Sequence, residues 1–293
     1  MSGISTIIPV YKKEELFLRN LEHNAPYLKK TEVIIVIDDP NSRGLKERIH
    51  AIVPQAHVLH NSANIGFSGS MNRGVKRAGN AYLLFLNSDV VLFDTSYLMA
   101  ADMLKKDTRL FAVSFAQIEK NGSVVGANTA HIDNGIFIHG GKSAQKECPN
   151  LWPEGGSSMV RANYFNELGG YDELYAPFYW EDVDLGFRAW KRGYSTVFNP
   201  KIVVEHHHET TIRGFFSKKT INTIAQRNQF LFIWKNLDQV SALSQAVFIA
   251  QHPSLIPAVL AACFKLPALL QKRRTEMPFW KKTDEEILAA VAP

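Results

Sequence analysis

Apolar residues in the first third of the chain fall into short continuous runs, and the residues between those runs follow a helical period. Residues 5–11 (STIIPVY), 32–38 (EVIIVID), 56–61 (AHVLHN) and 81–87 (AYLLFLN) are of strand length. Residues 13–28, 45–51 and 68–78 read as the helices between them. Strands apolar throughout and separated by helices predict an α/β fold, with a mostly parallel sheet covered on both faces. Ligands of such sheets bind beyond the carboxyl ends of the strands. Here those ends carry Tyr11, then Asp38 and Asp39, then Asn61 to Asn64, then Asn87, Ser88 and Asp89. The last three interrupt the apolar run LLFLNSDVVLF (83–93), either as a tight turn or as a metal or phosphate site.

The pattern changes after residue 110. Residues 111–119, 122–128 and 135–142 predict short strands separated by Gly and Asn, as in hairpins or a mixed sheet. A short helix over 163–168 is stopped by Gly169 and Gly170, and another over 184–192 by Gly193. A strand at 194–200 follows, and residues 220–236 return to a helical period. From 241 to 270 the chain is apolar but broken by Pro253, Pro257 and Pro267.

Composition adds less. A 293-residue chain with 46% hydrophobic and 21% charged residues is globular rather than disordered. The balance of 33 basic to 28 acidic residues is mild, and nucleic acid is not an expected partner. Placement says more than the sum: Lys265, Lys272, Arg273, Arg274, Lys281 and Lys282 crowd the C-terminal region. That excess, beside apolar helical pieces, suits either a peripheral membrane contact or a solvated helix face. Cys148 and Cys263 are too far apart in sequence for a metal-binding spacing. With no signal-peptide pattern and no apolar run of about 18 residues, the expected location is the cytoplasm or the inner face of its membrane. Self-association is left open.

Five fragments in order, IIPVY, IDDPNS, NIGFSGSMNRG, FLNSDVVLF and YWEDVDLGFRAWKRGY, carry a resemblance. The chain resembles family 2 glycosyltransferases of the GT-A fold, in the bacterial, rhamnosyltransferase-like branch that builds cell-surface polysaccharides. The match runs over residues 4–236. It implies a glycosyltransferase domain at 1–236, with a nucleotide-binding half (1–110) and an acceptor and catalytic half (111–219). Residues 237–293 remain as a helical extension.

The resemblance further implies a nucleoside-diphosphate sugar donor, a saccharide or lipid-linked acceptor, and Mg2+ or Mn2+. A departing diphosphate gathers negative charge, which a cation with oxygen ligands offsets. Asp89 supplies the carboxylate, with Asn87 where the fuller motif has a second one. His206 would approach the metal and diphosphate, with His208 as its alternate; three adjacent His on an extended segment cannot all face one zinc ion. Donor contacts would come from Pro9, Tyr11, Asn64, Gly66, Arg73, Asn87 and Ser88, and from Asp38 or Asp39 on the base or ribose. A carboxylate there can accept a pyrimidine imide N–H, which favours UDP- or dTDP-sugars.

Asp182 would be the base for the acceptor hydroxyl, Glu181 would help to hold the acceptor, and Tyr179, Trp180 and Asp184 would line its site. One base on the acceptor side suffices for an inverting single displacement. The basic residues Arg213, Lys218 and Lys219 read equally as a diphosphate loop or a plain basic loop. Residues 225–236 read as a packing helix. A nucleotidyltransferase or a non-catalytic nucleotide-sugar-binding module are the rival readings. The first normally has a Gly-rich basic loop that PVYKKEELFLRN lacks, and the second would not need Asp182.

Overall fold

Each apolar run of the first third is a strand in the computed structural model, which describes residues 3–206, 212–238 and 241–292, without the side chains of 212 and 213. β1 (Ile4–Val10) leads through α1 (Glu14–Leu28) to β2 (Glu32–Ile37), and α2 (Leu45–Ile52) leads to β3 (His57–His60). α3 (Gly66–Arg77) returns the chain to β4 (Tyr82–Leu86), and β5 (Val90–Leu92) follows after the Asn87–Asp89 break. Next come α4 (Tyr97–Lys106), β6 (Leu110–Ile118), β7 (Val124–Val125) and the hairpin of β8 (Asn128–Asp133) with β9 (Ile136–Gly141). The chain continues with β10 (Cys148–Pro149), β11 (Ser157–Arg161), α5 (Ala162–Glu167), α6 (Glu181–Lys191) and β12 (Ser195–His206). Helices α7 (Ile212–Phe215), α8 (Lys218–Asn236), α9 (Ala242–Gln251), α10 (Ile256–Cys263), α11 (Leu266–Glu276) and α12 (Asp284–Ala290) follow.

The main sheet runs β10-β12-β6-β11-β4-β1-β2-β3. The block β4-β1-β2-β3 is parallel, whereas β11 lies antiparallel between β4 and β6. The chain order reverses at β1, which has β2 on one side and β4 on the other, so a crevice opens at their carboxyl ends. Alternation sorts the strand side chains to two faces. Ile8, Leu84 and Leu86 join a core with α1, α2 and α4. Ile7, Leu83 and Phe85 join one with α3, α5 and α6.

Two boundaries differ from expectation. α6 starts at Glu181 rather than 184, which puts Glu181 and Asp182 in its first turn. β12 does not stop at Pro200: a register irregularity between Asn199 and Val203 absorbs the proline, and the strand runs on to His206. Phe93, the last residue of the apolar run 83–93, is 45% exposed rather than in the core.

The C-terminal helices do not stand apart. Ala262, Leu269, Ile287 and Val291 share a core with Phe187 of α6 and Phe230 to Ile233 of α8. Among the described residues no single helix is long and apolar enough to cross a membrane.

Candidate active site

The crevice at the switch point is a cleft of about 620 Å³. Pro9 and Tyr11 enter from the end of β1, Asp38 from the end of β2, and Asn64 and Gly66 from the start of α3. Asn87, Ser88 and Asp89 line it from the β4–β5 break, His206 from the end of β12, and Tyr179, Glu181 and Asp182 from α6 and the loop before it.

Strand register brings the cation candidates together. β5 pairs antiparallel with β12, His206 opposite Val90, so residue 89 arrives beside the end of β12. Asp89 Oδ1 lies 3.3 Å from His206 Nε2. The other ring nitrogen, Nδ1, donates to Gln117 Oε1, which directs Nε2 toward Asp89. Among the described residues no group of three or more His, Cys, Asp or Glu could hold a metal unaided. His208 lies outside the described residues.

Asp38 builds the wall opposite. Its carboxylate accepts from Asn61 Nδ2 at 2.7 Å, from Ile65 N–H at 2.9 Å and from Gly66 N–H at 2.9 Å. Gly66 adopts φ +75°, with the Pro177 carbonyl oxygen 3.1 Å from where a Cβ would sit. A side chain there would meet both backbone strain and a close neighbour. The first amides of α3 are therefore committed to Asp38.

On the other side, α6 presents acids from its first turn, where they suit the helix dipole. Glu181 is buried, and its Oε2 has no hydrogen-bond partner. Burial, then the charge of Asp182, pushes its pKa up to about 8. Asp182 is also pushed up, to about 7, by desolvation and then by Glu154, although the amides of Val183 and Gly155 donate to it. Both proton affinities therefore fall in the physiological range.

Tyr179 and Trp180 just ahead have φ of 72° and 78°. Such left-handed residues cost about 1–3 kcal/mol each and persist only where surroundings impose them. Asn228, fully buried on α8, supplies the constraint. Its Nδ2 donates to the carbonyls of Tyr175 (2.7 Å), Phe178 (3.0 Å) and Tyr179 (2.9 Å). Arg227 adds a bond to the Ala176 carbonyl at 2.6 Å. Beyond this loop lies a second cavity of about 370 Å³, lined by His139, Trp152 and Trp180, which shares Glu154, Tyr179, Glu181 and Asp182 with the first.

A model of Glycosyl transferase family 2 matches residues 5–169. The chain belongs to glycosyl transferase family 2. The family match covers Asp38, Asn87 and Asp89 but ends before Asp182 and His206. The chain is similar to the N-acetylglucosaminyl-diphospho-decaprenol L-rhamnosyltransferase of Mycobacterium tuberculosis, 26% identical over 206 residues. That match covers 59% of this chain and 66% of the mycobacterial protein's length. The solved structure of GalNAc-T7 with UDP, GalNAc and Mn2+ overlays with a TM-score of 0.65 at 16% identity, covering 85% of this chain and 50% of that one. The Pyrobaculum calidifontis mannosyltransferase PcManGT, in complex with GDP-Man and Mn2+, gives 0.57 at 13% identity over 99% of this chain and 85% of its own. The fold is thus GT-A, with a helical C-terminal region.

Within this family 2 site, three residues expected at the ligand stand elsewhere. Asp39 turns from the cleft to Lys12, at 2.7 Å, so of the two acids Asp38 faces the cleft. Arg73 lines neither cavity, because its guanidinium bonds the His60 carbonyl and Asn61 of the loop before α3. Asp184 is fully buried and binds Arg188 (2.7 Å), Lys235 (2.8 Å), Tyr175 (2.8 Å) and Asn236 (2.8 Å). Burial opposes its ionisation, but Arg188 and Lys235 hold its carboxyl below the ordinary range. It anchors α6 rather than lining an acceptor site. Lys218 and Lys219 open α8 without lining either cavity, and the Arg213 side chain lies outside the described residues.

Sequence reasoning missed Glu154, which lines both cavities and accepts from Asn128 Nδ2 at 2.7 Å. The available signal was an acid followed by Gly155 and Gly156 just ahead of a strand, a mark of close backbone approach. At Gly156 a Cβ would sit 2.2 Å from Asn87 Nδ2. The bare backbone there is what leaves Asn87 its place.

Proposed function

We propose that the chain is an inverting glycosyltransferase that moves a sugar from a UDP- or dTDP-sugar to a saccharide or lipid-linked saccharide acceptor of the cell surface. The observation that carries this reading is one cleft shared by Asp89 with His206 and by Asp182, whose proton affinity lies near neutrality. Residues 1–236 would perform the chemistry, the donor half being 1–110 and the acceptor half 111–219. Residues 237–293 would form an extension to that unit.

Asp89 and His206 fit a divalent cation, Mg2+ or Mn2+. They provide a carboxylate oxygen and an imidazole nitrogen already oriented by Gln117, and diphosphate oxygens and water would complete the shell. When bound, the cation offsets charge growing on the diphosphate. The name of the mycobacterial relative, with its lipid-diphosphate sugar acceptor, supports the acceptor class.

On the acceptor side, Tyr179 offers a partly exposed ring to a sugar in the second cavity, while Trp180 backs it from the core, packed on Phe137 and Phe232. The acceptor oxygen attacks the anomeric carbon from the face opposite the diphosphate. The new C–O bond forms as the old one breaks, the acceptor's proton passes to Asp182, and configuration inverts. A base works best with its pKa near the working pH, and the raised value of Asp182 meets that condition. Glu181, raised by burial and by the charge of Asp182 and with its Oε2 buried unpartnered, can donate a hydrogen bond to the acceptor while protonated.

The test measures transfer and donor binding separately. Asp182→Asn should lower transfer by about 10²–10⁴-fold while leaving the affinity for the donor with Mn2+ unchanged. Wild-type kcat/KM should rise with pH through about 7, because the base acts only when deprotonated. Loss of donor binding in that variant would move Asp182 to the donor site. Failure of the wild type to bind or slowly hydrolyse either class of nucleotide sugar would end the reading.

A further inference from the structure

We infer that the C-terminal helices dock on an anionic phospholipid bilayer, with the outer stripe of α10 entering it. An ordinary surface helix buries its large apolar side chains and exposes polar ones. α10 does the reverse: it packs on α8 and buries Ala258 and Ala262. Ile256, Leu260 and Phe264 face outward, 46%, 56% and 89% exposed. Their spacing of four residues puts them on one side of the helical path. α9 repeats the pattern, burying Gln245 while exposing Leu243 and Val247. Of the fourteen large apolar side chains exposed among the described residues, eight lie between Leu243 and Phe279. Exposed apolar surface gathered in this way marks an interaction site.

Charge selects the partner. From Gln239 to Thr275 the chain has no Asp or Glu, yet it carries Lys265, Lys272, Arg273 and Arg274. Arg273 is committed to the carbonyls of Trp234, Lys235 and Leu237, and Lys265 to that of Leu174. Arg274 is exposed, and the Lys272 side chain, although paired with Asp172, is 45% exposed. A second copy docking through the same patch would set this segment, which has no acid of its own, against itself, like charge facing like. Anionic headgroups complement it, and the acyl boundary accepts the stripe. The bent pair formed by Ala242–Gln251 and Pro253–Cys263 turns by 105°, so it offers no straight span and suits a helix pair lying in the interface.

The experiment is flotation of the full chain with vesicles of equal parts phosphatidylglycerol and phosphatidylcholine, and with phosphatidylcholine alone. It does not depend on the donor chemistry. The chain should float with the anionic vesicles and be released by salt. Leu260→Glu with Phe264→Glu should lower the partition coefficient about tenfold or more at an unchanged melting temperature, because both side chains are exposed. Arg274→Gln should weaken flotation at low salt and change it little at high salt. No flotation, or equal flotation by the double variant, would overturn the inference. So would equal, salt-indifferent binding to phosphatidylcholine, or a lipid-free dimer that the double variant splits.

Discussion

Glu181 and Asp182 are neighbours in one helical turn, but their surroundings give them different tasks. Asp182 receives two amide bonds that favour its charge, whereas one oxygen of Glu181 is buried without a partner. The folded state therefore holds a proton on Glu181 up to about pH 8, while the unfolded chain releases it near the ordinary value of about 4.3. Between those limits the folded state binds more protons, so this group's contribution to stability falls as pH rises. Glu181→Gln should thus melt several degrees higher than wild type at pH 8, with the gap closing toward pH 4 and transfer impaired throughout. A thermal melt at several pH values checks it. Both acids were legible from the motif around them. Glu154 was not: Gly155 and Gly156 marked a close backbone approach after it, but the bond from Asn128 that holds it and the β11 pairing that places its loop are long-range.

At the scale of elements, the helix before the C-terminal region does more than pack. Residues 225–236 read as a helix from their period, and α8 confirms that. The period could not reveal that Asn228 bonds three carbonyls of the loop carrying Tyr179, since backbone acceptors leave no trace in side-chain patterning. The far end of α8 holds α6 in the same way, Lys235 reaching both Asp172 (2.5 Å) and Asp184. One helix thereby sets the loop in front of the acids and the helix beneath them. Asn228→Ala should orphan those carbonyls at about 1–3 kcal/mol each where no water replaces the amide. The expected signature is a lower melting temperature and a fall in transfer of about tenfold or more, with donor affinity unchanged. Equal losses in donor binding would show a general collapse instead. The continuation of β12 past Pro200 escaped sequence reasoning for a related reason: pairing with β6 overrode a local breaker.

At the scale of the molecule, the parallel block and its switch point followed from apolar runs alternating with helices, so the cleft at the strands' carboxyl ends was largely legible in the sequence. The order of the other strands was not. β11, residues Ser157–Arg161, sits in the middle of the sheet between β4 and β6, both of which precede it in sequence. Until that strand arrives, the edge of β4 that will receive it is open, and exposed edges invite pairing with other chains. A fragment of residues 1–110 should therefore associate or aggregate, whereas the full chain gives a dispersed nuclear magnetic resonance spectrum. Finding the fragment monomeric and folded would contradict this. During synthesis on the ribosome the keystone strand emerges after most of the arch, and His206 some forty residues later still. A chain that stalls early thus has Asp89 but neither Asp182 nor His206. In this protein the meeting of Asp89 with His206 is also a report that synthesis has passed the last strand of the main sheet.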